Sequence, residues 1–81
     1  MSKFSDLDSE KAVIGCVLLN NEVIENAIEI LSPSDFFDPK YQRIFSTMQK
    51  MYENNEPLEP LSLSQRTMDC YPDTNVSEEE L

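Results

Sequence analysis

Histidine and tryptophan are missing from these 81 residues, glycine occurs once, cysteine twice, and lysine and arginine together six times. Each shortage removes a class of chemistry. Without histidine, both the common general base near neutral pH and the common metal ligand are gone. A single glycine, Gly15, excludes a glycine-rich phosphate loop and the nucleotide fingerprints. Two cysteines and no histidine cannot make a structural zinc site. One glycine against five prolines also argues against a turn-rich β sandwich or barrel. No alternation of period two is sustained, so strands find little support. No apolar run approaches about 18 residues, and no membrane span is expected. The opening Met1-Ser2-Lys3-Phe4-Ser5-Asp6 lacks the apolar stretch of a signal peptide, which makes the cytoplasm the expected compartment. Cys16 and Cys70 are accordingly expected to be reduced.

What the chain has in abundance is carboxylate. Sixteen acidic residues against six basic ones leave a net charge of −10. Such a balance keeps a domain soluble and repels polyanions. Binding by counterion release needs lysine and arginine, so weak or no direct nucleic-acid binding is expected. None of the carboxylates sits beside an apolar run as a tuned acid–base pair would. No catalytic, cofactor-binding or metal-ligating residue is assigned, and the chain is not expected to be an enzyme.

The stretch from Asp35 to Tyr52 supplies most of the large apolar side chains. Asp38 can cap a helix that opens with Pro39, where the missing N–H costs nothing. Tyr41, Ile44, Phe45, Met48, Met51 and Tyr52 then fall within an arc of roughly 120° on one side. Phe36 and Phe37 stand just before this helix and are expected to clamp its entry. It runs to about Asn54.

Around it the spacing predicts three more helices. The first, capped by Asp8 or Ser9, reads Ala12-Val13-Ile14-Gly15-Cys16-Val17-Leu18-Leu19. A helix apolar on every side is expected to be central and buried. Gly15, costly by about 1 kcal/mol relative to alanine, is expected to let the third helix approach closely. Asn20-Asn21 ends the segment through the left-handed conformation that asparagine tolerates. The second helix, Glu22 to Leu31, carries Val23, Ile24, Ala27, Ile28 and Leu31 inward and Glu22, Glu25, Asn26 and Glu29 outward. Its acidic face reads as solvated surface. Ser34 to Phe37 forms a short turn, and Leu58-Glu59-Pro60-Leu61 is expected to be extended. Ser62 then caps a short fourth helix with Leu63 and Met68 inside and Pro72 as its stop.

The fold class is therefore all-α, a small orthogonal bundle of about four helices with the start of a further helix at the C-terminus. Residues 1–8 are expected to fray, 9–71 to form the head domain, and 72–81 to be a linker and the start of a following helix. That last helix is written as a capping box, Ser77-Glu78-Glu79-Glu80. Because so short a helix is marginal alone, the sequence is expected to be the front part of a longer protein.

Two surface features are candidates for partner docking. Lys40, Arg43 and Lys50 hold half of the positive charge on the outer side of the third helix. They form either a stripe for an acidic partner or a set of ordinary surface ion pairs. Met51, Tyr52, Leu58 and Leu61 form an apolar set where that helix ends. Core packing accounts for such a set, whereas an exposed patch there would mark an interface.

These residues resemble a family. Ser9 to Leu19 is similar to the opening helix of the N-terminal domain of bacterial and phage replicative DNA helicases of the DnaB type. Ala27-Ile28-Glu29-Ile30-Leu31-Ser32-Pro33-Ser34-Asp35-Phe36-Phe37 continues the likeness, and Asp38 to Phe45 looks like the family's next helix start. Glu56-Pro57-Leu58-Glu59 and Leu61-Ser62-Leu63 resemble its following steps. The likeness covers residues 9 to about 68.

The resemblance implies a small helical head that assembles with other heads into a collar, a trimer of dimers, and receives primase or a helicase loader. It implies no cofactor for the head itself. The segment from Thr67 to Val76 departs from the family in lacking its usual glycines, and the helical hairpin and the motor have no counterpart here. A monomer or weak dimer is expected in isolation. Two other readings stand beside the collar domain. One is a free-standing phage or plasmid regulator that competes for helicase or primase, and the other is an acidic domain that mimics nucleic acid.

Overall fold

A computed structural model describes residues 7–74 and 76. Four α-helices follow in order: α1 (Leu7–Leu19), α2 (Val23–Ile30), α3 (Pro39–Glu53) and α4 (Pro60–Cys70), with a 3₁₀ turn, Pro33–Asp35, leading into α3. No strand occurs among the described residues. α3 is the hub, in contact with α1, α2, the 3₁₀ turn and α4. Ile44, Phe45, Met48 and Met51 on α3 are fully buried, together with Ile14 and Val17 of α1, Ile24 of α2 and Leu63 of α4. Tyr41 packs half-buried against this core.

α3 begins as its sequence dictates. Asp38 accepts a hydrogen bond from the Lys40 N–H at 2.8 Å, and Pro39 is the first helical residue. The helix ends at Asn54, and Asn55 takes the left-handed conformation with φ 59°. Among the described residues Asn55 is the one non-glycine residue with positive φ, so Asn20 and Asn21 do not end α1 in that way. Instead Asn20 accepts from the Glu22 N–H at 3.1 Å. Asn21 donates to the carbonyls of Val17 at 2.9 Å and Leu58 at 3.1 Å. The second of these bonds ties the α1–α2 turn to the segment before α4.

α1 differs most from its sequence reading. It covers Leu7–Leu19, so Asp8 and Ser9 lie inside it and not at its cap. Ile14 and Val17 are buried, but Ala12, Cys16 and Leu19 are exposed, Leu19 at 90%. A Cβ built on Gly15 would meet nothing within 4 Å, so no close helix crossing depends on that glycine. The reason is coverage. Among the described elements α2 and α3 are the main neighbours of α1, and two neighbours bury one arc of a helix, not its whole girth.

α2 keeps its expected stripe, with Ile24 and Ala27 buried, Val23, Ile28 and Leu31 half-buried, and Glu22, Glu25, Asn26 and Glu29 exposed. α4 opens earlier than expected, at Pro60, and Ser62 lies within it. Glu59 is extended, as the residue before a proline prefers, but Pro60 and Leu61 are already helical. Leu63 is buried and Met68 half-buried, and Ser64 and Thr67 are also buried. Their hydroxyls reach carbonyls, Ser64 that of Val76 at 2.5 Å and Thr67 that of Leu63 at 2.7 Å. Thr47, off the apolar arc of α3, is buried as well and donates to the Arg43 carbonyl at 2.8 Å.

Packing continues into the segment expected as a linker, where Thr74 and Val76 are buried. Phe4 and the capping box Ser77–Glu80 lie outside the described residues. Both cysteines are free thiols, Cys16 exposed and Cys70 half-buried. No helix of the described residues is long and apolar enough to cross a membrane.

Candidate functional site

The docking candidates lie on α3, at its two ends and on the face between them, and on the segment that follows it, where Leu58 precedes α4 and Leu61 is in its first turn. At the N-terminal end the backbone N–H groups of Phe37 and Asp38 need acceptors, because a helix start leaves its first donors unpaired. Glu10 of α1 supplies one. Its side chain is fully buried, and Oε1 accepts from the Phe37 N–H and from the Asp38 N–H at 3.1 Å. The carboxylate thus lies at the positive end of α3. Its other oxygen, Oε2, is buried and has no hydrogen-bond partner.

Gln42 closes the same corner by donating to the Phe36 carbonyl at 2.6 Å. The Phe36 ring lies 5.1 Å from that of Phe45, within the range of favourable aromatic pairs. Phe37 is 73% exposed, so only Phe36 acts as the expected clamp. This role of Glu10 is not among the expectations from sequence. The unpaired donors ahead of Pro39 signal that an acceptor must exist. Nothing in the sequence says that it comes from α1.

On the outer face of α3, Arg43 and Lys50 are two turns apart and therefore in line. Both sit near the Tyr71 ring, the guanidinium 5.5 Å and the ammonium 5.9 Å from its centroid, at cation–π range. Arg43 also donates to the Thr74 hydroxyl at 2.5 Å, and Tyr71 reaches the Ser46 hydroxyl at 3.3 Å. Two of the three candidate cations thus hold the segment after α4 onto α3, while Lys40 stands half-buried near the helix start.

At the C-terminal end the apolar candidates separate. Met51 and Leu58 belong to the core, at 0% and 4% exposure, whereas Tyr52 and Leu61 are 38% and 51% exposed. Tyr52 and Leu58 line a cavity of about 280 Å³ with Glu22 and Glu25. A second cavity of about 410 Å³ shares Glu25 and Tyr52 and adds Ile28 and Glu29. The Tyr52 hydroxyl donates to Glu25 at 2.7 Å where the two cavities meet. That hydrogen bond, with smaller contributions from burial and the Glu25 charge, raises the Tyr52 pKa above its usual value. Glu56 also lines the first of these cavities, and it pairs with Arg66 at 2.9 Å. Among the described residues no group of three or more carboxylates and thiols is placed to hold a metal ion. The arrangement is suited to binding a side chain or a segment.

This geometry, four helices on a Pro-opened hub, has known relatives. The family profile described as the DnaB-like helicase N terminal domain matches residues 2–80. The chain belongs to that family. It is 36% identical over 59 residues to the replicative DNA helicase DnaB of Rhodothermus marinus, a match over 73% of this chain and 6% of that protein. To the DnaB of Treponema pallidum it is 34% identical over 65 residues, covering 80% of this chain and 15% of that one. It therefore spans a small part of the length of these relatives.

The N-terminal domain of DnaB helicase from Mycobacterium tuberculosis superposes with a TM-score of 0.76 at 28% identity. That match covers 84% of this chain and 49% of the other. α1 to α4 are thus a DnaB-type N-terminal head, and α3 with its Asp38-Pro39 start is the hub of such a head.

Proposed function

We propose that this DnaB-type head is a non-catalytic collar domain of a replicative DNA helicase, acting in DNA replication by assembling with other heads and docking primase or a helicase loader. The observation that carries the reading is the family match over residues 2–80, which falls on the N-terminal domain of proteins many times longer. The acidic balance supports protein partners over nucleic acid, since a net charge of −10 opposes phosphate binding. Exposed Phe37 and Leu61 support it too, as large apolar side chains that this chain alone leaves in water.

Sedimentation of the purified chain tests the reading, first alone and then with the primase from the same source. Alone it should run as a monomer or weak dimer and should not hydrolyse ATP. With primase, a complex should form. Single-stranded DNA should bind no better than non-specific levels of ~10⁻⁴–10⁻⁶ M at physiological salt. Tight single-strand binding, or ATP turnover lost on unfolding, would overturn the proposal. Competition by the free chain against assembled helicase would instead favour the regulator reading.

A further inference from the structure

The groove between α2 and the end of α3 has a one-signed rim and an apolar floor. Glu22 at the cap of α2 and Glu25 and Glu29 on it stand exposed, and Ile28, Tyr52 and Leu58 share the lining with them. No lysine or arginine lines either cavity, and Arg66, whose partner Glu56 lines the first, balances that carboxylate and not those of the α2 side. Three carboxylates along one side of a groove hold a negative potential that their own helix does nothing to cancel, since α2 contains no basic residue. The Tyr52 ring adds the face that a cation prefers. Its hydroxyl bridges to Glu25 at 2.7 Å, across the point where the two cavities adjoin.

We propose that this groove is a docking site for a basic, partly apolar segment of a protein partner, which seats a lysine or arginine between Tyr52 and the α2 carboxylates and an apolar side chain over Ile28 or Leu58. Charge complementarity selects the occupant. A phosphate backbone or an acidic peptide meets only repulsion here, and a purely apolar segment leaves three carboxylates facing it. The site stands independently of collar assembly, because it is complete within one chain.

Selection of displayed random dodecamer peptides on the 81-residue chain tests the proposal. Enriched peptides should carry lysine or arginine beside apolar residues. Their affinity should fall about tenfold or more with the triple variant Glu22→Gln, Glu25→Gln, Glu29→Gln. A control of equal net charge, Glu59→Gln, Asp69→Asn, Asp73→Asn, should leave it nearly unchanged, as these exposed positions line neither cavity. Circular dichroism checks that both variants fold. Absence of enrichment, enrichment of acidic or uncharged peptides, or equal weakening by both triple variants would overturn the proposal. The last result would mean that net charge alone attracts the peptides.

Discussion

The two ends of α3 are finished in opposite ways. At its start Asp38 caps the helix, buried Glu10 accepts two backbone N–H groups, and Phe36 packs at a tilt against Phe45. At its end Tyr52 is 38% exposed, its hydrogen bond to Glu25 is at the surface, and a groove opens toward α2. One helix thus anchors the fold at its first turn and offers surface at its last. The difference follows from what each end must satisfy. Part-buried donors ahead of a helix need acceptors from the protein, whereas exposed groups at the far end are served by water.

Substitutions can break or sharpen this contrast. The largest effect belongs to the core under the anchored end. Phe45→Ala should cost about 3–5 kcal/mol, which is most of the stability expected of a chain this small. Loss of the far-ultraviolet helical signal at room temperature would register it.

Glu10→Ala comes next. It strips the acceptor from two N–H groups, and each hydrogen bond to a charged partner is worth about 1.5–3 kcal/mol. We expect a loss of about 3 kcal/mol in urea denaturation, with Glu10→Gln losing less because an amide oxygen remains to accept. If Glu10→Ala costs no more than Tyr52→Phe, the two ends do not differ in the way described. Asp38→Ala should cost about 1 kcal/mol, the usual value of a lost cap.

Gly15→Ala probes the bare face of α1 and should act with the opposite sign. With nothing within 4 Å of the new Cβ, the helix should gain about 0.5–1 kcal/mol, seen as a higher melting temperature. No gain would show that Gly15 meets a neighbour after all.

The smallest effect concerns the open end and pH. Tyr52 has a raised pKa in the folded chain, so the contribution of its hydrogen bond is intact below the ordinary tyrosine value near 10. That contribution fades only as pH rises through the raised value. Resonance-resolved titration should show Tyr52 ionising later than an ordinary tyrosine. Glu25→Gln should bring it earlier, since the neighbouring carboxylate is the principal cause of the shift.

Much of α3 was legible in the residues. An aspartate followed by proline is a local instruction for a helix start, and the 3.6-residue period of Ile44, Phe45, Met48 and Met51 identifies the buried side. The stripe of α2 was legible for the same reason, because α2 is amphipathic enough for its sequence to distinguish inside from outside. The candidate docking residues were less so. Met51 and Leu58 went to the core and Tyr52 and Leu61 to the surface, although all four are apolar or aromatic and close in the chain. Arg43 and Lys50 found a ring, Tyr71, that no helical spacing connects to them.

The sequence by itself determined the all-helical class, the order of the helices and the family, because propensity, capping and period act over a few neighbouring residues. Tertiary structure alone decided which face of α1 is covered, that Glu10 closes the start of α3, and that Glu25 meets Tyr52. The physical reason is range. Hydrophobic pattern says that a side chain would gain from burial, but α1 is apolar on every side and its pattern cannot choose a face. That choice fell to the number of helices available to pack on it. The Glu10 and Glu25 contacts join residues 27 or 28 apart in the chain, and their partners are set by how the helices cross.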